Sequence, residues 1–437
     1  MNQSHPLFIR FLNHSSVLLE SAEHRLVVDP WLTGTAFTGG WALEWNNPAA
    51  LDVAARADAV WVSHPHSDHL HFETLQALCA RNPNLVMLAN TNSQIDMAAI
   101  VKSLPFREIV RVPERQLVEV APHTRVFVVP SLAIDAILAY QSHDLFVLNV
   151  NDAILDPHTT RAVLQRSPAF RDRRPDVLLI NFSHANRIPE AKADKLSQYF
   201  KDRLRDYIAV FRPRACLPIA SFQLYTGEFA RWQNEVRVRP SDLRDIDPCV
   251  QDFLPGYTAE VTPHEIRVHT HAVQPQPLAH RTYPERPSLD ALRRAVSDYS
   301  TRLRRELYGV ALPRPLRVRF TDFEAVFELD FARGSLTQQT DSSWQLECYA
   351  KPFHSMLTKP YGFDAFYVNA DYRVAASQAA EKRVSDFIFK GCLVDYQLTP
   401  RAVMNSVLVR DQWRYLRNRR EQLLHIVSRG HVFGGVR

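Results

Sequence analysis

Between residues 7 and 29 the hydrophobic positions fall into short β-prone runs, LFIRFL, SVLLES and RLVVD, separated by polar breaks at NHS and AEH. Apolar runs of this length, bounded by such breaks, predict strands in a meander. The chain then enters a loop rich in glycine and aromatics, PWLTGTAFTGGW, and returns to an apolar run, AVWVS, at 59–63. In HFETLQALCARN the period changes. Leu75, Leu78 and Cys79 share one helical face, with Phe72 near it. NLVMLAN (84–90), RVFVVP (125–130), DAILAY (135–140), DLFVLNV (144–150), DVLLIN (176–181) and ACLPIASF (215–222) predict further strands, and 190–208 predicts a helix. Strands mixed with helices through about residue 222 predict a layered αβ architecture rather than an all-β barrel.

The pattern breaks at 272–288, AVQPQPLAHRTYPERPS, where four prolines fall in 17 residues. That composition predicts a linker. A chain of 437 residues exceeds what one hydrophobic core usually spans. We therefore expect one unit over 1–272 and a second over 289–437. In the second, SLDALRRAVSDYSTRLRREL predicts an amphipathic helix, and LRVRF, AVFELDF and SWQLECYA predict strands. The stretch at 402–428, AVMNSVLVRDQWRYLRNRREQLLHIVS, predicts a long basic helix. This α+β unit carries no motif that converts into chemistry. Its alternating strands suit dimerisation or a cover over the mouth of an active site.

Composition narrows the setting. No apolar run approaches the length of a membrane-spanning helix, and the first residues lack the basic and apolar regions of a secretory signal. The five cysteines (Cys79, Cys216, Cys249, Cys348 and Cys392) are scattered, with no CxxC pair. They read as reduced thiols of a cytoplasmic protein. A net charge of +5 favours an anionic substrate but is too small to indicate a nucleic-acid partner.

The chemistry concentrates at 63–71, SHPHSDHLH. His64 and His66 sit two apart just past a strand end, so an extended backbone puts both imidazoles on one side. Asp68 and His69 follow where the chain turns into the helix. Two imidazoles facing an Asp–His pair can hold two metal ions, since imidazole suits zinc and iron and a carboxylate adds negative charge. His71, at the helix start, falls outside that set.

This HxHxDH pattern after a strand resembles the signature of the metallo-β-lactamase superfamily. NHSSVLLESAEHRLVVDPWL is similar to the opening of its lactonase-like branch. DPWLTGTAFTGGW, FVLNVNDAIL and LPIASF resemble a narrower group, the metal domain of the CMP-N-acetylneuraminate hydroxylase family. The resemblance covers roughly residues 7–250. It implies an αββα sandwich, here followed by the C-terminal α+β domain, and two divalent metal ions, with iron preferred and zinc or manganese as the alternative. It implies His64, His66, Asp68 and His69 as ligands, with Asp68 and His69 also in the catalytic role. Asp152, in NVND, would be the bridging carboxylate, and Asp29, in VVDPW, a supporting residue rather than a ligand. His14 and Trp41 are candidates for the substrate pocket.

Two superfamily ligand positions hold no histidine. VVPSLAIDA offers Ser131 and Asp135, and PIASF offers Ala220 and Ser221. Asp135, His143, His14 and His184 are the candidate substitutes. His184, in INFSHAN just past a strand, is the one we place in the metal set. The hydroxylase family carries a Rieske iron–sulfur domain, but no Cys-x-His or Cys-x-x-His pair occurs here. No Rieske cluster is expected, and an oxygenase would draw electrons from a separate protein or from its substrate. Three functions follow: a di-iron enzyme oxidising a small polar or anionic substrate with O2; a metallo-hydrolase attacking a lactone, phosphoester or amide with a metal-bound hydroxide; or a non-enzymatic scaffold with a partial site. Arg187, Arg231 and Arg237 are candidate anion contacts, and self-association into a homo-oligomer is left open.

Overall fold

The computed structural model of the protein describes residues 5–401 apart from 92–95, 132–133, 154, 279, 284, 397–398 and 400. The basic helix expected over 402–428 lies outside the described residues. The three N-terminal runs form the expected antiparallel meander, Leu7–Asn13, Ser16–Glu20 and Arg25–Val28. Alternation along the first strand buries Leu7, Ile9 and Phe11 and leaves Phe8 and Arg10 half-buried. From Arg25–Val28 the pairing turns parallel, to Ala59–Trp61, Val86–Thr91 and Glu108–Pro113. Strands Thr258–Val261 and Ile266–His269 complete this eight-stranded sheet on its other edge.

A second sheet of six strands runs Leu117–Ala121, Thr124–Pro130, Ala136–Ser142, Leu145–Asn151, Val177–Ile180 and Ala215–Pro218. Its first four strands are antiparallel neighbours and the last two join in parallel. The two sheets share one apolar core, with Leu7, Ile9 and Trp61 from the first and Val128, Ile137 and Val147 from the second. Helix Phe72–Arg81 covers the outer face of the first sheet through Leu75, Leu78 and Cys79, packed with Val27, Val60 and Met87. Helix Ala193–Phe211 covers the second through Leu204, Tyr207 and Phe211. The order of layers is αββα, as the resemblance implies.

Four strands of these two sheets fall outside the predicted set: Glu108–Pro113, Leu117–Ala121, Thr258–Val261 and Ile266–His269. Three of them are sheet edges and the fourth is next to one. Edge strands are half-exposed, so their sequences lack a contiguous apolar run. The proline-rich stretch also differs from a plain linker at its start, where Gln274–Pro275 pairs with Trp45–Asn46. The described residues of 276–287 belong to no helix or strand.

The C-terminal residues build a separate core on a five-stranded sheet ordered Ser335–Gln338, Ala325–Asp330, Leu316–Phe320, Leu346–Cys348 and Tyr372–Val374. Helices Leu289–Glu306, Ala350–Thr358, Gly362–Asn369 and Gln378–Asp395 pack on it. A further apolar cluster joins the two parts. Trp31, Phe37, Trp41 and Tyr225 of the N-terminal unit meet Val368 and Ala370 from the end of helix Gly362–Asn369. Among the described residues, no helix is long and apolar enough to cross a membrane.

Candidate metal centre

The strand ends that face the C-terminal unit converge on one buried cluster. His14 turns between the first two strands, Asp29 follows the third, and Ser63 to His69 follow Ala59–Trp61. Asn151 and Asp152 end Leu145–Asn151. His14, Asp29, Asn151 and Ala220 all take positive φ, at 41°, 45°, 54° and 55°. Left-handed backbone is uncommon outside glycine, though Asn, Asp and His tolerate it best. Four such residues at neighbouring strand ends mark a place where geometry has been set for side-chain direction.

Two groups of ligand atoms form there, His64–His66–Asp152 and His14–Asp68–His69. In the first, His64 Nε2 lies 2.7 Å from His66 Nδ1 and 3.8 Å from Asp152 Oδ2. In the second, Asp68 Oδ2 lies 3.1 Å from His14 Nε2 and 3.2 Å from His69 Nε2. Asp152 also approaches His69 Nε2, at 3.3 Å, so its carboxylate lies between the groups. The residues of the expected HxHxDH set therefore come together, and Asp152 stands where a bridging carboxylate would.

The supporting contacts are as specific. Asp29, fully buried, accepts from the Ser63 N–H at 2.7 Å and its hydroxyl at 3.0 Å, and its other oxygen lies 3.3 Å from His69 Nδ1. Asn151 donates to the same carboxylate. Ser63 Oγ is 2.9 Å from His64 Nδ1. Both imidazoles thus have their Nδ1 side held, which turns Nε2 toward the cluster. His71 instead caps helix Phe72–Arg81, its ring accepting from the Thr74 N–H.

Electrostatics follow from the crowding of acids. Burial by itself would lower His69, but Asp68, Asp152 and Asp29 together hold it well above the ordinary imidazole range. Burial and the neighbouring His69 push His64 well below it. Asp135 lies 3.7 Å from His64 Nε2, and burial with repulsion from Asp152 pushes its carboxyl up to about 7. Several polar atoms here are buried without a hydrogen-bond partner, including Asp68 Oδ1, Asp152 Oδ1 and His69 Nε2. Unpaired buried carboxylate oxygen is costly unless something cationic meets it. Imidazole and carboxylate donors in two adjacent groups fit two divalent metal ions.

Three expectations need correction. His184, placed in the metal set from its sequence, joins no metal-competent group among the described residues. It is buried against Tyr225, and burial with the positive Arg237 pushes it down to about 3. His14, placed in the substrate pocket and also named as a substitute donor, lies in the cluster with Asp68 and His69, which favours the second of these readings. His143, named as a substitute donor, sits in the turn before Leu145–Asn151 with His5 and Glu23, a separate three-residue group. Trp41 is buried and packs edge-on against Phe37, with the His14 ring 6.2 Å away, so it forms the wall behind the cluster.

The three candidate anion contacts also have partners. Arg187 pairs with Glu381 through both terminal nitrogens, at 2.9 and 3.3 Å. Arg237 pairs with Glu44, and Arg231 contacts His280. Sequence reasoning did not find Ser63 and Asn151, whose roles depend on Asp29 being folded beside them. It also missed Asp364, in YGFDAF of the C-terminal unit, which reaches 2.6 Å from His66 Nε2. Its neighbourhood in the sequence carries no metal-ligand spacing.

Comparison with known proteins bears on the N-terminal unit. A family model described as "Beta-lactamase superfamily domain" matches residues 8–143. The cytidine monophosphate-N-acetylneuraminic acid hydroxylase of Danio rerio is 31% identical over 157 residues, 34% of this chain and 26% of that protein. Its counterpart in Asterias rubens is 38% identical over 86 residues, 20% of this chain and 13% of that protein. The matched segments thus span about a quarter or less of these relatives. Among solved structures, CmlA, a diiron beta-hydroxylase from Streptomyces venezuelae, is 15% identical with a TM-score of 0.41, covering 60% of this chain and 55% of that one. Igni18, a metallo hydrolase from Ignicoccus hospitalis, is 13% identical with a TM-score of 0.42, covering 59% and 98%. Likenesses that distant do not choose between the two chemistries. The facing sheets and the HxHxDH cluster agree with the match of residues 8–143 to the β-lactamase superfamily domain.

Proposed function

We propose that the chain is a metal-dependent enzyme whose two adjacent metal positions take iron and which uses O2 to hydroxylate a small polar substrate. One observation carries this reading: each donor group consists of two histidines and one aspartate. Two imidazoles and a carboxylate with open positions is the donor pattern of non-haem iron(II) oxygenases. The likeness to the cytidine monophosphate-N-acetylneuraminic acid hydroxylases supports it.

His64, His66 and Asp152 would hold one ion and His14, Asp68 and His69 the other. Iron bound there supplies the activation of O2. The chain's own residues do the rest. Asp29 and Ser63 fix the histidine rings. Trp31, Trp41 and Phe37 keep water from the inner wall. Asp135 can hold a proton near neutral pH at the edge of the cluster. Hydroxylation consumes R–H, O2, two electrons and two protons and yields R–OH and water. The electrons would come from a separate electron-transfer protein or from the substrate itself.

The alternative is hydrolysis by a metal-bound hydroxide, favoured by the superfamily match and the intact HxHxDH. Metal analysis of protein purified without air, beside His66→Ala, decides between them. Iron near two per chain, lost in the variant, with O2 uptake in the presence of a reductant supports the oxygenase. Zinc or manganese with lactone or phosphoester cleavage supports the hydrolase. No stoichiometric metal in the parent protein sinks both and leaves the scaffold.

A further inference from the structure

We infer that Asp364, in the C-terminal unit, is a positioning residue for His66: it holds the outer nitrogen of that ring, so that the second unit orients a metal ligand of the first. The inference rests on the metal-centre reading above and deepens it, because the centre then depends on a residue outside the N-terminal unit.

Each of the three HxHxDH histidines presents one nitrogen to the cluster, and a ligating ring is oriented by whatever holds its other nitrogen. For His64 the outer atom is Nδ1, 2.9 Å from Ser63 Oγ, and for His69 it is Nδ1, 3.3 Å from the Asp29 carboxylate. His66 is turned the other way. Its Nδ1 lies 2.7 Å from His64 Nε2, so Nε2 is the outer atom. The N-terminal unit sets Phe37 edge-on to this ring, with centroids 5.7 Å apart. Among the described residues, both polar groups paired with Nε2 come from the C-terminal unit. Asp364 Oδ2 lies 2.6 Å away and the Tyr396 hydroxyl 3.4 Å away. A proton on Nε2 donated to the buried Asp364 carboxylate leaves the Nδ1 lone pair for an ion and fixes its direction. The carboxylate touches the ring and not the ion.

The carboxylate is itself fixed by its own unit. It lies in the first turn of helix Gly362–Asn369, whose Phe363 and Asp364 N–H groups donate to Asp395 at 2.8 and 3.4 Å. Tyr396, just past helix Gln378–Asp395, hydrogen-bonds the same carboxylate. The first of these helices is seated by close approaches that only glycine allows. A Cβ on Gly40 would overlap that of Asn369, and one on Gly227 would overlap the Asp371 carboxyl. Gly40 belongs to the GGW of the glycine-rich loop. The two glycines form the landing site for the helix that brings Asp364 to His66. Arg187 and Glu381 also link the two units, without touching the cluster.

The test uses the full-length protein with Co(II) as the probe, bound without air. The affinity of each ion is measured by competition with a chromophoric chelator, and the ligand geometry is read from the Co(II) absorption. Asp364→Asn keeps an acceptor oxygen for the Nε2 proton but removes the charge, and Asp364→Leu removes both. One ion should weaken by about tenfold in Asp364→Asn and about a hundredfold in Asp364→Leu, with altered Co(II) absorption, while the other binds as in the parent. The asparagine variant is nearly isosteric and decides alone if the leucine variant does not fold. Glu381→Gln, which loosens the contact between the units away from the cluster, should leave both affinities and the absorption unchanged. Parent-like affinity and absorption in the Asp364 variants would overturn the inference while leaving the metal centre intact. So would an equal weakening of both ions, or the same loss in Glu381→Gln, because docking of the units and not the carboxylate would then be responsible. A parent protein that binds no Co(II) would overturn both this inference and the reading beneath it.

Discussion

Asp29 ends a strand with positive φ, makes no contact with solvent, and holds the Ser63 backbone, the Ser63 hydroxyl and His69 at once. Replacing it with Asn keeps the volume but removes the charge that fixes His69. Residues behind a metal ligand are commonly worth 10–100-fold in affinity. Asp29→Asn should therefore weaken the ion held by His14, Asp68 and His69 by about tenfold or more, read by chelator competition. His184→Ala, at a residue outside both groups, should leave metal stoichiometry unchanged. A lost ion in that variant would restore the ligand role that its sequence position suggests. At this scale the sequence was most legible where the candidate ligands are local. His64, His66, Asp68 and His69 span six positions, and strand geometry alone sets their directions. Asp135 was visible only as a substitute, and His14 as a substitute or a pocket residue, because nothing local says which turn reaches the cluster.

At the scale of elements, the pairing of helices Gly362–Asn369 and Gln378–Asp395 depends on Asp395. Burial pushes this carboxyl up to about 7, against the lowering effect of the two N–H groups it accepts from. The unfolded chain ionises it near pH 4. Between about pH 4 and pH 7 the unfolded state therefore sheds a proton that the folded state retains, and stability falls as pH rises through that window. Asp395→Asn keeps an acceptor oxygen for Phe363 and should flatten this slope. The full effect is on the order of 4 kcal/mol, of which about 3 kcal/mol falls between pH 5 and pH 8, checked by denaturant unfolding at those two values. Gly227→Ala tests the landing site instead. With no room for a Cβ beside Asp371, it should cost about 2 kcal/mol and raise protease sensitivity at the junction without altering either core. Elements with buried faces were legible because alternation or a helical stripe marks them. The edge strands and helix Gly362–Asn369 were not, since half-exposed or mostly apolar short stretches such as GFDAFYVN carry no clear period.

For the whole molecule, the units meet through three kinds of contact: the apolar cluster around Trp41 and Val368, the Arg187–Glu381 pair, and the approach of Asp364 to His66. Buried aspartates that repel one another make the metal-free protein the less stable form. Metal bound only by the folded state adds about 3 kcal/mol at a hundredfold excess over Kd. Exhaustive chelation should lower Tm by about 5 °C, and adding back the native metal should restore it. An unchanged Tm after chelation would mean that the acids are satisfied without ions.

The sequence by itself determined the layered αβ character of the N-terminal unit, the helix that follows the HxHxDH run, and the closeness of His64, His66, Asp68 and His69, while the two-sheet sandwich was implied by the family resemblance. The former depend on periodicity and on spacing over a few residues. Tertiary structure alone decided that His14 meets Asp68 and His69, that His184 does not join them, and that the C-terminal unit sends a carboxylate to His66. Those outcomes depend on how strand ends converge and on which surfaces pack together. Contacts between residues 50 to 300 positions apart leave no mark on the local pattern that a single chain displays.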